Sequence, residues 1–490
     1  MPCSAALRCA FTDSPSWFER YKAEIATQRK ACSHLAVPVV GLQRHISFRS
    51  AVGLVVANVI GVGIFTTTGF QAADLGNPLL ILFLWALGGL LAYFGALCYG
   101  ELGAAMPYAG AEYVYLRETY GPSFGVMSAF VSLIAGFPAP IAAALKSLVI
   151  YLSAVVPLLD GQQLVLGILA INDLIAIGLV WVLIALQIHS SQQSIQFNNL
   201  VTLVKVGGII VIILAAAAFG RGEAGNFSHV SAAYQGMGMM AMFTALATSL
   251  IFVMFCYSGW NAAAYVASEL IEPQHNLPRA LMAGTIIVTA LYLGLNAVYL
   301  YGANVDQLAG KIEVGLVAAR ELFGSWGVAL VTVVLVVSLL ASASAMTIAG
   351  PRVSFALGGD VTALRWLAKT NSAGTPVNGI LTQGTVTSVL IVSGRVDQIL
   401  QYAGFTLALM SALAVSCVMV LRVRNPELNR PFRVRGYPFP PLFYLAVTIW
   451  TMAWACLGRP LESSLALLTV ACGGALYRLS RIRGADSAGN

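Results

Sequence analysis

Apolar residues in this chain form long unbroken runs that recur between about Ser50 and Tyr477, separated by short polar connections. A membrane helix needs roughly 20 apolar residues, whereas a barrel strand needs about 10 and alternates in polarity. The runs here are continuous and rich in Leu, Val, Ala and Gly, so they predict helices. Gly, Pro and charged breakers divide them into twelve segments centred near residues 60, 89, 140, 175, 209, 256, 291, 342, 385, 410, 449 and 470. The expected fold is therefore an all-α polytopic membrane protein with 12 transmembrane helices.

Two segments break their own pattern. Segment one, AVGLVVANVIGVGIFTTTGF, carries Gly61, Val62 and Gly63 near its middle. Segment six runs longer than one straight span, from Ala241 to Ile271, and holds FCYSGWN around Gly259 at its centre. A Gly-x-Gly alone is commonly helix packing. Matched breaks in segments one and six are instead the sign of two inverted five-helix repeats with a polar site at mid-depth, because unwound backbone is tolerated in a membrane only where it lines a cavity or is buried in protein. The expected organisation is a tail over residues 1–46 and a transporter domain over 47–482, followed by a tail over 483–490. Within the domain the repeats cover about 47–220 and 241–422, and two extra helices cover about 441–481.

Composition agrees with the pattern. Apolar types make up 58% of the 490 residues, about ten points above a soluble domain, which excludes a water-soluble globular protein. The excess of 27 basic over 20 acidic residues points to orientation rather than to nucleic acid. With the N-terminus inside, twenty basic residues fall in inner segments and five (Arg221, Lys311, Arg320, Arg395, Arg459) in outer ones. That bias places both termini in the cytoplasm of a cell-membrane protein. The eight cysteines show no metal-ligand spacing or disulfide framework, and no metal or cofactor is expected.

Charges inside spans are costly and call for partners. Lys205 stands about seven residues inside segment five, roughly 10 Å deep at a rise of 1.5 Å per residue. It is expected to face carbonyls freed by the first break and the hydroxyl of Ser342 or Ser344, as a fixed ammonium or a proton carrier. Lys146 lies near the end of segment three, where snorkelling is favoured. Glu101, Glu112 and Glu269 sit at span ends and read as solvated or capping residues, with Glu101 and Glu269 kept as inner-gate candidates.

Several stretches together resemble the amino acid-polyamine-organocation transporters, and within them the L-type and related amino acid permeases. They are GVGIF at Gly61–Phe65, CYGELGAAMPYAGAEYVYLRETYGP at Cys98–Pro122, FNNLVTLVKV at Phe197–Val206 and FCYSGWNAAAYVASELIEPQHNLPRA at Phe255–Ala280, with GPRVSFALGGD, GTPVNGIL and RNPELNRPFRV further on. The resemblance implies the five-plus-five fold with two added helices. It also implies that the N–H groups of Gly61, Val62 and Gly63 take a substrate carboxylate and that carbonyls near Ile60 and Phe255 take its amine. Phe255 would be an aromatic gate, with Ser258 and Asn261 at the side-chain pocket. Lys205 matches the lysine that fills the cation site of sodium-coupled relatives. Val62 stands where many relatives have a small or hydroxyl residue, and Ser258 where close relatives have Gly, which suggests a smaller or more polar substrate side chain. The heavy-chain partner of such permeases is linked through an outer cysteine not found here, so the chain is expected to work without a partner subunit.

The expected function is sodium-independent transport of zwitterionic, neutral amino acids by alternating access, as proton symporter or exchanger. No Asp or Glu marks the centres of segments one, three, six, eight and ten, which disfavours a polyamine or cationic amino acid. A channel would need filter rings, and an enzyme an intramembrane nucleophile or His-Glu motif; neither is evident, so no catalytic residue is expected. A sensor that binds without transporting shares the same site and stays open.

Overall fold

The computed structural model describes residues 44–486 apart from 109, 157–163, 166–168, 190 and 372–374. The expected N-terminal tail lies outside the described residues up to 43, as do the last four residues of the C-terminal tail. The described chain is almost wholly helical. Its helices are α1 (Phe48–Val59), α2 (Gly63–Leu75), α3 (Pro78–Ala105), α4 (Glu112–Tyr120), α5 (Pro122–Val131), α6 (Pro138–Ser153), α7 (Ile171–His189), α8 (Ser191–Phe219), α9 (Met239–Tyr257) and α10 (Ala262–Tyr265). The other main helices are α11 (Pro273–Gly302), α12 (Val314–Asp360), α13 (Val377–Ser393), α14 (Val396–Arg424), α15 (Phe439–Gly458) and α16 (Pro460–Asp486), with single turns at Ala232–Gln235 and Val305–Leu308. Two-residue strands, Leu164–Val165 and Leu169–Ala170, pair antiparallel before α7.

Local chemistry explains where these helices start and stop. Asn77 accepts from the N–H groups of Leu79 and Leu80 and Pro78 follows it, so α3 opens with a side-chain cap and a proline that needs no donor. Gly76 closes α2 in the left-handed region. Among the described residues nine helices are long and apolar enough to cross a membrane, and eleven if each of two bent pairs counts as one span. Val377–Ser393 is apolar but shorter, so by length and composition nine to eleven of the expected twelve spans are accounted for. Every predicted centre falls in one of these helices or at the first break.

Two local features lie outside the sequence reading. The third segment contains a π-helical turn, Ser132–Gly136, between α5 and α6. The eighth joins a peripheral helix to its span through Gly324, whose φ is 71°.

The face that carries His45 and the Arg422–Arg435 run is closed by backbone and side chain together. The N–H groups of His45 and Ile46 both donate to Glu269 O at 3.0 Å, and Ile271 N–H donates to Ile46 O at 3.0 Å. Glu101, read above as solvated or capping, is buried and ion-paired instead. Arg422 Nε and Nη2 donate to its two oxygens at 2.9 and 2.5 Å, and Val434 N–H donates to Oε2 at 2.7 Å. The end of α3 is thus fastened to α14 and to the loop after it.

Lys146 corrects a second expectation. Rather than snorkelling, its ammonium donates to Asp173 Oδ1 and to Ile391 O, both at 2.7 Å. One cation ties α6, α7 and α13 together, because the fold sets an acidic partner on the first turn of α7 within reach of the ammonium.

Removing one partner of a buried pair leaves an uncompensated charge. Glu101→Ala is expected to destabilise the protein by about 3 kcal/mol, read as a lower thermal midpoint in detergent. An unchanged midpoint would show that the Glu101–Arg422 pair holds nothing.

Candidate functional site

Both predicted breaks are real, and they face each other. Helix α1 ends at Val59, Ile60 is extended with ψ of 93°, and α2 restarts at Gly63 with a bend of 41°. Helix α9 ends at Tyr257, Ser258 is extended with ψ of 140°, and Gly259 has φ of 101°. A Cβ on Gly259 would stand 3.1 Å from Asn58 O. Glycine is needed there twice over, for its φ and for the approach of the other broken helix.

The two glycines of the first break do different work. A Cβ on Gly63 would overlap Cys256 Sγ, so this position serves the packing of α2 on α9. A Cβ on Gly61 would meet only Val59 O, at 3.8 Å, and it is Gly61 that borders open space. The start of α2 directs its positive dipole end into the gap between the breaks, a setting that favours an anion.

Unwound carbonyls need donors, and Lys205 and Tyr292 supply most of them. Lys205 donates to Ala57 O at 3.0 Å, Ile60 O at 2.6 Å and Ser342 Oγ at 3.3 Å. The predicted partners of Lys205 are therefore present, except that Ser344 takes no part in these bonds. Tyr292 on α11 donates its hydroxyl to Val59 O at 2.6 Å and shares it with Cys256 O at 3.1 Å. A single phenol thus bridges the two breaks. The sequence reading passed over Tyr292, although a hydroxyl inside an apolar run must find an acceptor and was the signal available.

The remaining expected residues are distributed around this centre. Ile60 O accepts from both Lys205 and Ser342, and Phe255 O already accepts from Ser258 N–H at 2.9 Å. Phe255 is buried, with its Cβ against Gly404 of α14. Ser258 lines a cavity of about 20 Å³ together with Tyr257, Trp260, Ala408, Ser411 and Tyr444; Gly61, Val62 and Gly63 do not line it. Asn261 turns to a residue that the sequence reading had left in solvent. Its Nδ2 donates to Glu112 Oε1 at 2.8 Å.

Glu112 opens α4, a helix between two spans, and is folded inward. Besides Asn261 it accepts from Tyr99 at 2.6 Å, Tyr265 at 3.3 Å and Ser411 at 3.5 Å. Burial pushes its carboxyl above the usual range, opposed by those four donors. Ala111 before it holds a positive φ of 41°, a strained backbone for a side-chain-bearing residue. Of the gate candidates, Glu101 is the pair described above, and Glu269 contributes its backbone carbonyl to the closed face. Among the described residues no cluster of His, Cys, Asp or Glu is able to hold a metal.

Fold and site together define a polytopic helical membrane protein with two interrupted helices around a polar centre. Residues 46–471 match the amino acid permease family, and the chain belongs to it. It is 27% identical to the serine/threonine exchanger SteT of Bacillus subtilis (strain 168) over 448 residues, 89% of this chain and 97% of that protein. It is 25% identical to the mouse (Mus musculus) Asc-type amino acid transporter 1 over 450 residues, 90% and 82% of the two chains. To the human (Homo sapiens) b(0,+)-type amino acid transporter 1 it is 28% identical over 404 residues, 80% and 79%. The chain is a membrane permease and not an enzyme.

Two outcomes test this geometry. Gly63→Ala is expected to lower the yield of monodisperse protein while Gly61→Ala leaves it unchanged, measured by size-exclusion of tagged protein; equal behaviour would remove the Gly63–Cys256 contact from the account. A buried acid with a raised pKa holds its proton more tightly folded than unfolded. Its contribution to stability is therefore largest below the ordinary glutamate range and is lost as pH rises through the raised value. Glu112→Gln should flatten the fall of the thermal midpoint across that window, and a slope equal to that of the parent would assign it to another group.

Proposed function

We propose that the chain is a sodium-independent exchanger of small neutral amino acids, working by alternating access in the cell membrane with both termini in the cytoplasm. The observation that carries this reading is the ammonium of Lys205 on Ala57 O, Ile60 O and Ser342 Oγ. An ammonium has three donors, and three oxygens receive them. A neutral amine could serve the two carbonyls but would then need the Ser342 hydroxyl as its donor, and that hydroxyl already reaches Ile60 O and Ser338 O. The arrangement supports a fixed cation where a coupling ion would otherwise be needed, and hence exchange in preference to proton symport.

The substrate's carboxylate would lie at the start of α2 beside Gly61, Val62 and Gly63, and its amine near the carbonyls of Ile60 and Phe255. The hydroxyl of Ser258 supports a small or polar side chain, in keeping with the serine/threonine exchanger among the relatives. Glu112 reaches the second break, but its oxygens are taken up by four donors of the protein, so it gives a cationic substrate little to bind. The two repeats over about 47–220 and 241–422 would supply the moving and fixed parts, with segments one, two, six and seven rocking against the rest. The cysteines of the described residues are buried at 98, 256 and 417 and exposed at 456 and 472, all free. Neither exposed one lies in an outer connection, which supports a protein that works without a partner subunit.

The test is uptake of labelled serine, threonine, alanine and lysine into proteoliposomes, preloaded or empty, with and without sodium or an inward proton gradient. Uptake of the small neutral amino acids is expected only into preloaded vesicles and without dependence on sodium. Lys205→Ala orphans buried acceptors and should cut exchange about tenfold or more with expression intact. Gradient-driven accumulation in empty vesicles would replace exchange by proton symport with Lys205 as carrier, and undiminished uptake by Lys205→Ala would end its role in either.

A further inference from the structure

The loop between α14 and α15 is folded on its own account. Arg430 donates to the carbonyls of Leu421, Asn425, Pro426 and Leu428 at 2.8–3.1 Å, so one guanidinium holds the turn that leaves α14. Arg422 lies over the Tyr437 ring at 3.8 Å, and Val434 N–H is held by Glu101. These bonds make the loop a strap across the end of α3.

Burial alternates along the strap. Val434 is buried, while Arg433 and Arg435 on either side are exposed. Exposure on both sides of a buried residue sets the two arginines on the outer side of the strap. Both guanidinium groups thus point away from the protein, and neither makes an ion pair or hydrogen bond among the described residues. Phe439 and Leu442, a few residues on at the start of α15, are 61% and 47% exposed, as side chains facing lipid would be. Phe439 belongs to an aromatic group with Phe443 and Phe94. Two unneutralised cations therefore sit next to the apolar surface of the same strap.

We propose that Arg433 and Arg435 form a headgroup site for an anionic phospholipid whose acyl chains lie along Phe439 and Leu442. The chemistry is charge complementarity at fixed spacing: a phosphodiester receives guanidinium N–H groups bidentately. The site differs from a general basic surface because the strap is pinned. The backbone between the two arginines ends on Glu101, so a lipid bound there braces the joint between α3 and α14.

The experiment uses the full chain, purified and exchanged into mixtures of phosphatidylcholine and phosphatidylglycerol, with retained lipid counted by native mass spectrometry. Initial exchange rates are measured in proteoliposomes of phosphatidylcholine with or without phosphatidylglycerol. The double variant R433Q/R435Q should retain phosphatidylglycerol about 30-fold more weakly, from two juxtamembrane charges, and its exchange rate should no longer respond to that lipid. The control R365Q/K369Q removes two exposed basic residues elsewhere on the same face and should keep both. Equal losses in the two double variants would mean diffuse surface charge and would overturn the proposal. So would phosphatidylglycerol retention by R433Q/R435Q at the parental level. All four positions are exposed, and thermal midpoints of the variants are expected to match the parent, which separates loss of lipid from loss of fold.

Discussion

A polypeptide that stops being helical in the middle of a membrane must find donors for the carbonyls it frees. In this permease two side chains meet that demand. Lys205 serves Ala57 and Ile60 on the first broken helix, and Tyr292 serves Val59 on the first and Cys256 on the second. Without them the breaks at residues 60–62 and 258–261 would each leave polar backbone in an apolar setting, at several kcal/mol per group. The glycines permit the interruption. The lysine and the tyrosine stabilise it.

Around that centre the polar contacts sort into two kinds. Lys146 with Asp173 and Ile391 O joins α6, α7 and α13, a group of helices with no interruption of this kind near the contact. Glu101 with Arg422 and Val434, and Glu112 with Tyr99, Asn261, Tyr265 and Ser411, instead bridge helices next to the breaks to α14 and its strap. Each carboxylate is satisfied by a different means, the first by a guanidinium and the second by four neutral donors. Protonation would accordingly disturb them differently, since only the first loses an opposite charge.

Much of this was legible in the residue pattern because periodic apolar runs and misplaced glycines are local signals. The helices, the two breaks and the pairing of Lys205 with freed carbonyls and a hydroxyl of Ser342 or Ser344 follow from local pattern plus the rule that a buried charge needs partners. What escaped is what depends on packing between distant segments. Glu112 and Glu101 look alike at span ends, yet apart from Tyr99, close before Glu112, their donors stand some 150–330 positions away along the chain, and no window of sequence contains those partners. Lys146 was misjudged for the same reason: Asp173 begins the next helix, and only the fold brings it within 2.7 Å. Nor could the sequence tell the two glycines of the first break apart: a Cβ at Gly63 would meet Cys256, while Gly61 borders open space.

The hydroxyl of Tyr292 also bears on motion. One proton shared between Val59 O and Cys256 O couples the two interruptions mechanically, since drawing either helix away from Tyr292 strands its own carbonyl. Separation of α1 from α9 is thereby a high-energy coordinate, and displacement of the two as one body is a low-energy one. The soft directions of this molecule are consequently those in which the paired breaks travel together.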